Sequence, residues 1–290
     1  MGPSDSNLEE AALTRVELAD ADALVGEAGW NQVAADWSIF LDLGTVHAIR
    51  NEAGRVIATA ATLPYGGRFA WISMVLVAPD YRRRGLARRL LSRCVRDIAG
   101  AGLVPILDAT PAGRSVYVGL GFEDAWSYHR LARKPRKDMT EPVRPDGIRI
   151  VPIDDNVFGE LRRYDAAVFG ADRGAVLARL RGRVPGADLV ALRGDTVCGL
   201  LLGRDGRSAT QLGPLVADEP AIARSLIACA LAANAGSVYI DLLDTHAETR
   251  AWLESQDFAA QRPLTRMLQG RSSDFSDVAR TFAVAGPELG

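Results

Sequence analysis

The sequence predicts an α/β (α+β) chain built from two similar domains in tandem. Three observations carry that expectation. An apolar run, Ile72 to Val77, is followed by Pro79, three arginines and Gly85, and then by an amphipathic helix. The order of strand and helix patterns after Ile148 repeats the order before Arg133. Between the two halves stands Lys134-Pro-Arg-Lys-Asp-Met-Thr-Glu-Pro-Val-Arg-Pro-Asp-Gly147, proline-rich and without apolar periodicity, which reads as a linker.

Residues 1–10 are polar and are expected to form a flexible tail. The first domain then covers 11–133. Leu13 to Leu18 can make a first strand, and Asp20 or Asp22 can cap a helix through Leu24 and Val25 to Ala28. Trp30 and Trp37 stand seven apart, a spacing that puts both on one helical face. Thr45 to Arg50 and Arg55 to Leu63 form a hairpin around Asn51-Glu52-Ala53-Gly54. After the central strand, Leu86, Leu90, Cys94 and Ile98 share one helical face, and Gly100 and Gly102 stop that helix. Val104 to Leu107 is a strand, Tyr117 sits on a short helix, and a strand from Phe122 to Leu131 closes the half.

The second domain covers 148–270. Its expected strands are Ile148 to Ile153, Leu189 to Leu192, Val197 to Leu202, Thr210 to Val216, Val238 to Leu243 and Leu264 to Leu268. Helices are expected near 157–169, 174–180 and 220–235, with another through Trp252. The C-terminal tail, 271–290, is rich in serine and aspartate and then apolar around Phe282 to Val284.

The turn before the Leu86 helix has the makings of an anion site. The first N–H groups of a helix have no internal partners and carry the positive end of its dipole. Gly85 has no Cβ, so a phosphate could come close to the backbone.

The pattern Val77-x-Pro79 followed by Arg82-x-x-Gly85-x-Ala87 resembles the acetyl-CoA signature of the GNAT superfamily of N-acetyltransferases. Further on, Asp108-Ala-Thr-Pro-Ala-Gly-Arg-Ser-Val-Tyr117-Val-Gly-Leu-Gly121-Phe122 resembles that family's closing element, a short helix with a tyrosine leading through Gly-Phe into a strand. The resemblance implies that each domain holds a mixed, mostly antiparallel central sheet flanked by helices. It implies acetyl-CoA as cosubstrate. Backbone groups of Val75, Leu76 and Val77 would pair with the pantetheine arm, and the main-chain N–H of Val77 or its neighbour would polarise the thioester carbonyl. Arg82, Arg83, Arg84, Gly85, Leu86 and Ala87 would wrap the pyrophosphate. Thr110 stands where many members carry an asparagine that touches the cofactor. Tyr117 would protonate the departing thiolate, a task its ordinary pKa of about 10 suits.

In this family the region around Trp30, Gln32 and Trp37 overhangs the acceptor pocket. Those three are therefore candidates for substrate contact, against the reading that both tryptophans are core. A carboxylate base is absent from Trp71 to Val77. Asp108 could serve, or could simply cap a turn; the base stays unassigned. Arg173, in Phe169-Gly-Ala-Asp172-Arg173-Gly174, could hold an anionic group of the acceptor, or stand exposed beside a capping Asp172.

The second half departs from the pattern at both chemical positions. Asp218-Glu219-Pro220 replaces the basic glycine turn, and Leu253 stands where the tyrosine would be. A pyrophosphate would meet like charge there, so only the first half is expected to carry chemistry. The overall expectation is an acetyl-CoA-dependent N-acetyltransferase acting on a small-molecule amine. The competing readings are a non-catalytic acyl-CoA sensor and an acyltransferase that uses a longer acyl-CoA.

Composition sets the remaining bounds. A formal net charge of −2 gives no general affinity for nucleic acid or an anionic membrane. No apolar run approaches a bilayer span, and the start of the chain lacks the basic and apolar stretches of a signal peptide. Cys94, Cys198 and Cys229 lie far apart in apolar surroundings and read as core residues, and the three histidines are scattered, so no metal site is expected. A cytoplasmic protein follows as the expectation.

Overall fold

The computed structural model describes residues 8–136 and 145–290. The first half runs β1 (Glu9–Ala12), α1 (Leu18–Glu27), α2 (Ala34–Leu43), β2 (Thr45–Arg50), β3 (Val56–Tyr65), β4 (Phe69–Val77), α3 (Leu86–Gly100), β5 (Val104–Ala109), α4 (Pro111–Val118) and β6 (Phe122–Arg133). The second runs β7 (Ile148–Pro152), α5 (Asp155–Phe169), α6 (Gly174–Leu180), β8 (Leu189–Arg193), β9 (Thr196–Arg204), β10 (Thr210–Ala217), α7 (Pro220–Ala232), β11 (Val238–Leu243), α8 (Ala247–Ser255), β12 (Ala259–Gln269) and β13 (Thr281–Ala283). Parts of the expected N-terminal tail and linker, 1–7 and 137–144, lie outside the described residues.

All the described strands join one mixed, mostly antiparallel sheet of order β1-β2-β3-β4-β5-β12-β6-β11-β13-β10-β9-β8-β7. The parallel neighbours are β4 with β5 and β10 with β11. The halves exchange their closing strands: β12 lies between β5 and β6, and β6 pairs with β11. Each half is thus finished by backbone from the other, and the exchange covers edges that would otherwise stay open.

Both parallel pairs splay. β4 and β5 pair only from Phe69↔Val104 to Trp71↔Ile106, and β10 and β11 only from Thr210↔Val238 to Leu212↔Ile240. Beyond those points each pair opens into a wedge. In the second half the wedge is filled by the chain's own β13, which pairs with Leu215 and Val216 on one side and Leu242 on the other. Phe282 is buried there against the His246 ring. A Cβ at Gly213 would collide with the Val284 carbonyl oxygen, so this close approach requires glycine.

The helices pack as their periodicity dictates. On α3, Leu86, Leu90, Leu91, Cys94 and Ile98 are buried against the sheet, each apolar side chain contributing roughly 1.5–3 kcal/mol.

Two local expectations are corrected. The strand expected at Leu13 to Leu18 is a 3-10 turn, Arg15–Glu17, leading into α1. There Glu17 accepts hydrogen bonds from the Thr14 N–H and hydroxyl, and this box bends the chain. The strand that pairs with β2 is Glu9–Ala12 instead. Trp30 and Trp37 do not share a helical face, because α2 starts only at Ala34. Val33 is extended (φ −126°) and donates its N–H to the Asp36 carboxylate at 2.9 Å. The C-terminal segment packs into the fold, with Val284, Glu288 and Leu289 all buried.

Candidate active site

Along the first half's wedge, β4 carries one backbone irregularity. Met74, inside β4, has a left-handed backbone (φ +51°), and the β3–β4 register shifts between Thr59 and Ala61. The Thr59 hydroxyl donates to the Met74 carbonyl oxygen at 2.8 Å and fixes the bulge. Beyond Trp71, the edge of β4 facing β5 makes no ladder bonds, and Ile72, Ser73, Met74 and Val75 line a cavity of about 250 Å³.

At the α3 end of the wedge lies the basic turn. Arg83 (φ +62°) and Gly85 (φ +77°) both take the left-handed conformation. No atom lies within 4 Å of where a Gly85 Cβ would be, so the space over the turn is open. A second cavity, of about 360 Å³, is lined by Val77, Arg82, Arg83, Gly85, Leu86 and Ala87. The two cavities meet at Ala87 and Val116. A helix N-terminus behind a left-handed turn, flanked by arginines and opening into an apolar slot, can take a diphosphate joined to an extended thioester arm. Arg84 faces elsewhere: it lies over the Tyr81 ring and donates to the Asp80 carbonyl oxygen at 2.9 Å. Leu76 is buried in β4.

Thr110 starts α4, and its hydroxyl accepts the Gly113 N–H at 3.3 Å. The sequence thus folds a cap where the family resemblance suggests a cofactor contact, and Thr110 also lines the larger cavity. Two turns on, Tyr117 lies against Phe122 and lines the same cavity. Gly113 leaves room for it, since a Cβ there would come within 3.0 Å of the Tyr117 ring. Burial pushes the Tyr117 hydroxyl above its ordinary value, so it keeps its proton.

Val75, Trp30, Gln32 and Asp108 also line the larger cavity. Asp108 is fully occupied. Arg266 of β12 donates Nε to Oδ1 at 2.7 Å and Nη2 to Oδ2 at 3.0 Å, and is itself sandwiched between the rings of Trp71 and Trp126. Burial pushes the Asp108 carboxyl up to about 6 even beside that guanidinium.

Two expected substrate residues lie away from the cavity. Trp37 is wholly buried in the core beside Phe40. Arg173 is neither exposed nor in the pocket: it is buried, paired with both oxygens of Asp165 at 2.8 Å, stacked on Phe169, and donates to the Gly290 carbonyl oxygen. Its surroundings favour a buried pair because the helix turn at Gly170 folds it back onto α5.

Sequence reasoning missed Ser73, Met74, Arg262, Pro287 and Glu288, all of which line the cavity. Arg262 comes from β12, and Pro287 and Glu288 from the segment after β13. That segment is tied to the first half where Tyr65 donates to the Leu289 oxygen at 2.7 Å and Trp71 to the Pro287 oxygen at 3.1 Å. The one sequence signal for it was the apolar run around Phe282 in an otherwise polar tail.

Splayed strands, a left-handed basic turn and a tyrosine on the closing helix are the features that the family resemblance implies. Residues 17–122 match the model described as the acetyltransferase (GNAT) family, and residues 161–283 match the acetyltransferase (GNAT) domain. The chain belongs to the GNAT family of acetyltransferases and carries two such domains in tandem. It is 23% identical over 224 residues, 77% of this chain and 78% of the other, to the uncharacterized N-acetyltransferase YitH of Bacillus subtilis. It is 27% identical over 178 residues to the holothin acyltransferase of a Pseudoalteromonas species, covering 61% of this chain and 58% of that one. Its fold is similar to that of a Pyrococcus horikoshii protein, an acetyltransferase by assignment only, at a TM-score of 0.77 and 19% identity over 99% of this chain and 97% of the other. A tandem GNAT protein from the clavulanic acid biosynthesis pathway matches with a TM-score of 0.66 and 15% identity, covering 90% and 98%.

Proposed function

We propose that this protein transfers an acetyl group from acetyl-CoA to the amine of a small-molecule acceptor, and that the chemistry runs in the first half alone. The observation that carries this reading is the contrast between the two wedges. The first leads from the Arg83–Gly85 turn to Tyr117, whereas the second is filled by β13 and has Asp218 and Glu219 in place of a basic turn.

Acetyl-CoA supplies the thioester carbonyl carbon that the amine attacks. The unpaired edge of β4 beyond Trp71 offers main-chain groups to align the arm, and the turn N–H groups with Arg82 and Arg83 hold the diphosphate. As the C–N bond forms and the C–S bond breaks, the Tyr117 hydroxyl gives its proton to the sulfur. Val116, Leu91 and Leu107 line the slot with apolar surface and keep water away from the thioester. The test is thiol release from acetyl-CoA with a panel of small amines. Turnover that depends on Tyr117 supports the proposal; binding of acetyl-CoA without turnover of any amine contradicts it.

A further inference from the structure

Two side chains of opposite charge, Glu288 and Arg262, line the cavity beside Tyr117 and do not pair with each other. Glu288 is 3% exposed; its Oε1 accepts from Arg204, but its buried Oε2 has no hydrogen-bond partner. Arg204 is shared with Asp36 at 2.9 Å, and Asp36 with Arg183 at 2.6 Å, so the Glu288 carboxylate terminates a buried ionic chain at the cavity wall. Gln32, 4% exposed, adds a second lone acceptor, its side-chain oxygen. On β12, Arg262 has the opposite need. No hydrogen bond or ion pair holds its guanidinium among the described residues, and its buried Nε lacks an acceptor. Burial and the nearby Arg130 lower its pKa. Glu288 and Arg262 line the same cavity of about 250 Å³, yet no oxygen of the one lies within ion-pair distance of the other.

A buried polar atom left without a partner costs about 1–3 kcal/mol, more when charged. Here two buried acceptors lack a donor, and one buried guanidinium N–H, that of Arg262 Nε, lacks an acceptor. We propose that the acceptor is a small zwitterion, an amine that also carries a carboxylate or similar anion. Its ammonium sits on Glu288 Oε2 and the Gln32 oxygen, and its anionic group on Arg262. This rests on the acetyl-transfer reading above. It also supplies what β4 lacks: Glu288 accepts the proton that the ammonium must lose before its nitrogen attacks. Arg262 belongs to the acceptor and not to the diphosphate, because it lines the cavity with Trp30 and Glu288 and is absent from the one at the basic turn.

The test sets free α-, β- and γ-amino acids, taurine and aminoalkyl phosphonates beside their neutral counterparts, the amides or parent amines. Binding is read by calorimetry and turnover by thiol release, on the full chain. At least one zwitterion should exceed its neutral counterpart by about 30-fold or more in kcat/KM, as a bidentate charged contact allows. Arg262→Gln should collapse that ratio through KM, and Arg262→Lys should restore part of it. Arg262→Met, which keeps the packing of the stem, should behave as Gln does. Glu288→Gln should lower kcat and shift the acid limb of the rate. Neutral amines used as well as zwitterions, or a ratio untouched by Arg262→Gln, would overturn the inference. Acetyl-CoA bound while no zwitterion binds or reacts would sink this inference and leave the acetyl-transfer reading standing. Failure to bind acetyl-CoA would sink both.

Discussion

The guanidinium of Arg266 grips both oxygens of Asp108, at 2.7 and 3.0 Å, and joins the closing strand of the second half to the wall of the first half's cavity. Asp274 stands 3.6 Å further along, and both tryptophan rings cover the charge. The pair exists only because β12 is inserted beside β5, so the cavity and the strand exchange are one structure.

Replacing Arg266 therefore tests whether the halves hold each other. Arg266→Met should lower unfolding stability by about 3–5 kcal/mol, because two buried carboxylates lose their cation. Urea denaturation measures this directly. A loss below about 1 kcal/mol would mean that Arg266 is not what holds Asp108 in place.

Tyr117→Phe should cut kcat about 100-fold or more, the usual worth of a positioned acid, while acetyl-CoA still binds. Burial raises the hydroxyl's pKa, so the wild-type rate should show no alkaline loss from this group below the ordinary tyrosine range. Steady-state thiol release across pH reads both. Near-normal kcat in the Phe variant would remove Tyr117 from the mechanism.

An ion pair far from the site gives a pH signature. The hydrogen-bonded Arg50 guanidinium holds the Glu17 carboxyl down at about 2 from an ordinary 4.5. A depressed carboxylate stabilises the fold above its unfolded pKa and loses that contribution as pH falls through its folded one. Glu17→Gln should cost on the order of 1–2 kcal/mol at pH 7, shrinking from pH 4.5 to nothing near pH 2. A cost independent of pH would show that packing, not charge, is at stake.

Much of this was legible locally. The strand, basic turn and α3 share one short stretch, where Pro79, Gly85 and the spacing of Leu86, Leu90 and Cys94 each specify backbone or burial on their own. The acidic Asp218-Glu219 turn and Leu253 likewise marked the second half as different. What escaped was set by partners distant in the chain. Nothing near Glu288 says that Arg204 will meet it, and nothing in β12 says that it will pair with β5. Arg173 looked like an exposed surface arginine because Asp165 and the Gly290 oxygen reach it only in the fold. Trp37 shared a spacing with Trp30 but not a helix, since the Asp36 cap delays α2 until Ala34.

The central claim is that one wedge binds acetyl-CoA and the other is closed by the chain itself. Calorimetric titration of acetyl-CoA into the wild type and a Gly85→Glu variant tests it most directly. The substitution forces a side chain onto a backbone at φ +77° and puts negative charge where the diphosphate would lie, in open space that leaves the core intact. One site per chain, lost in the variant, is the predicted result. Two sites per chain, or one that survives Gly85→Glu, would contradict the account.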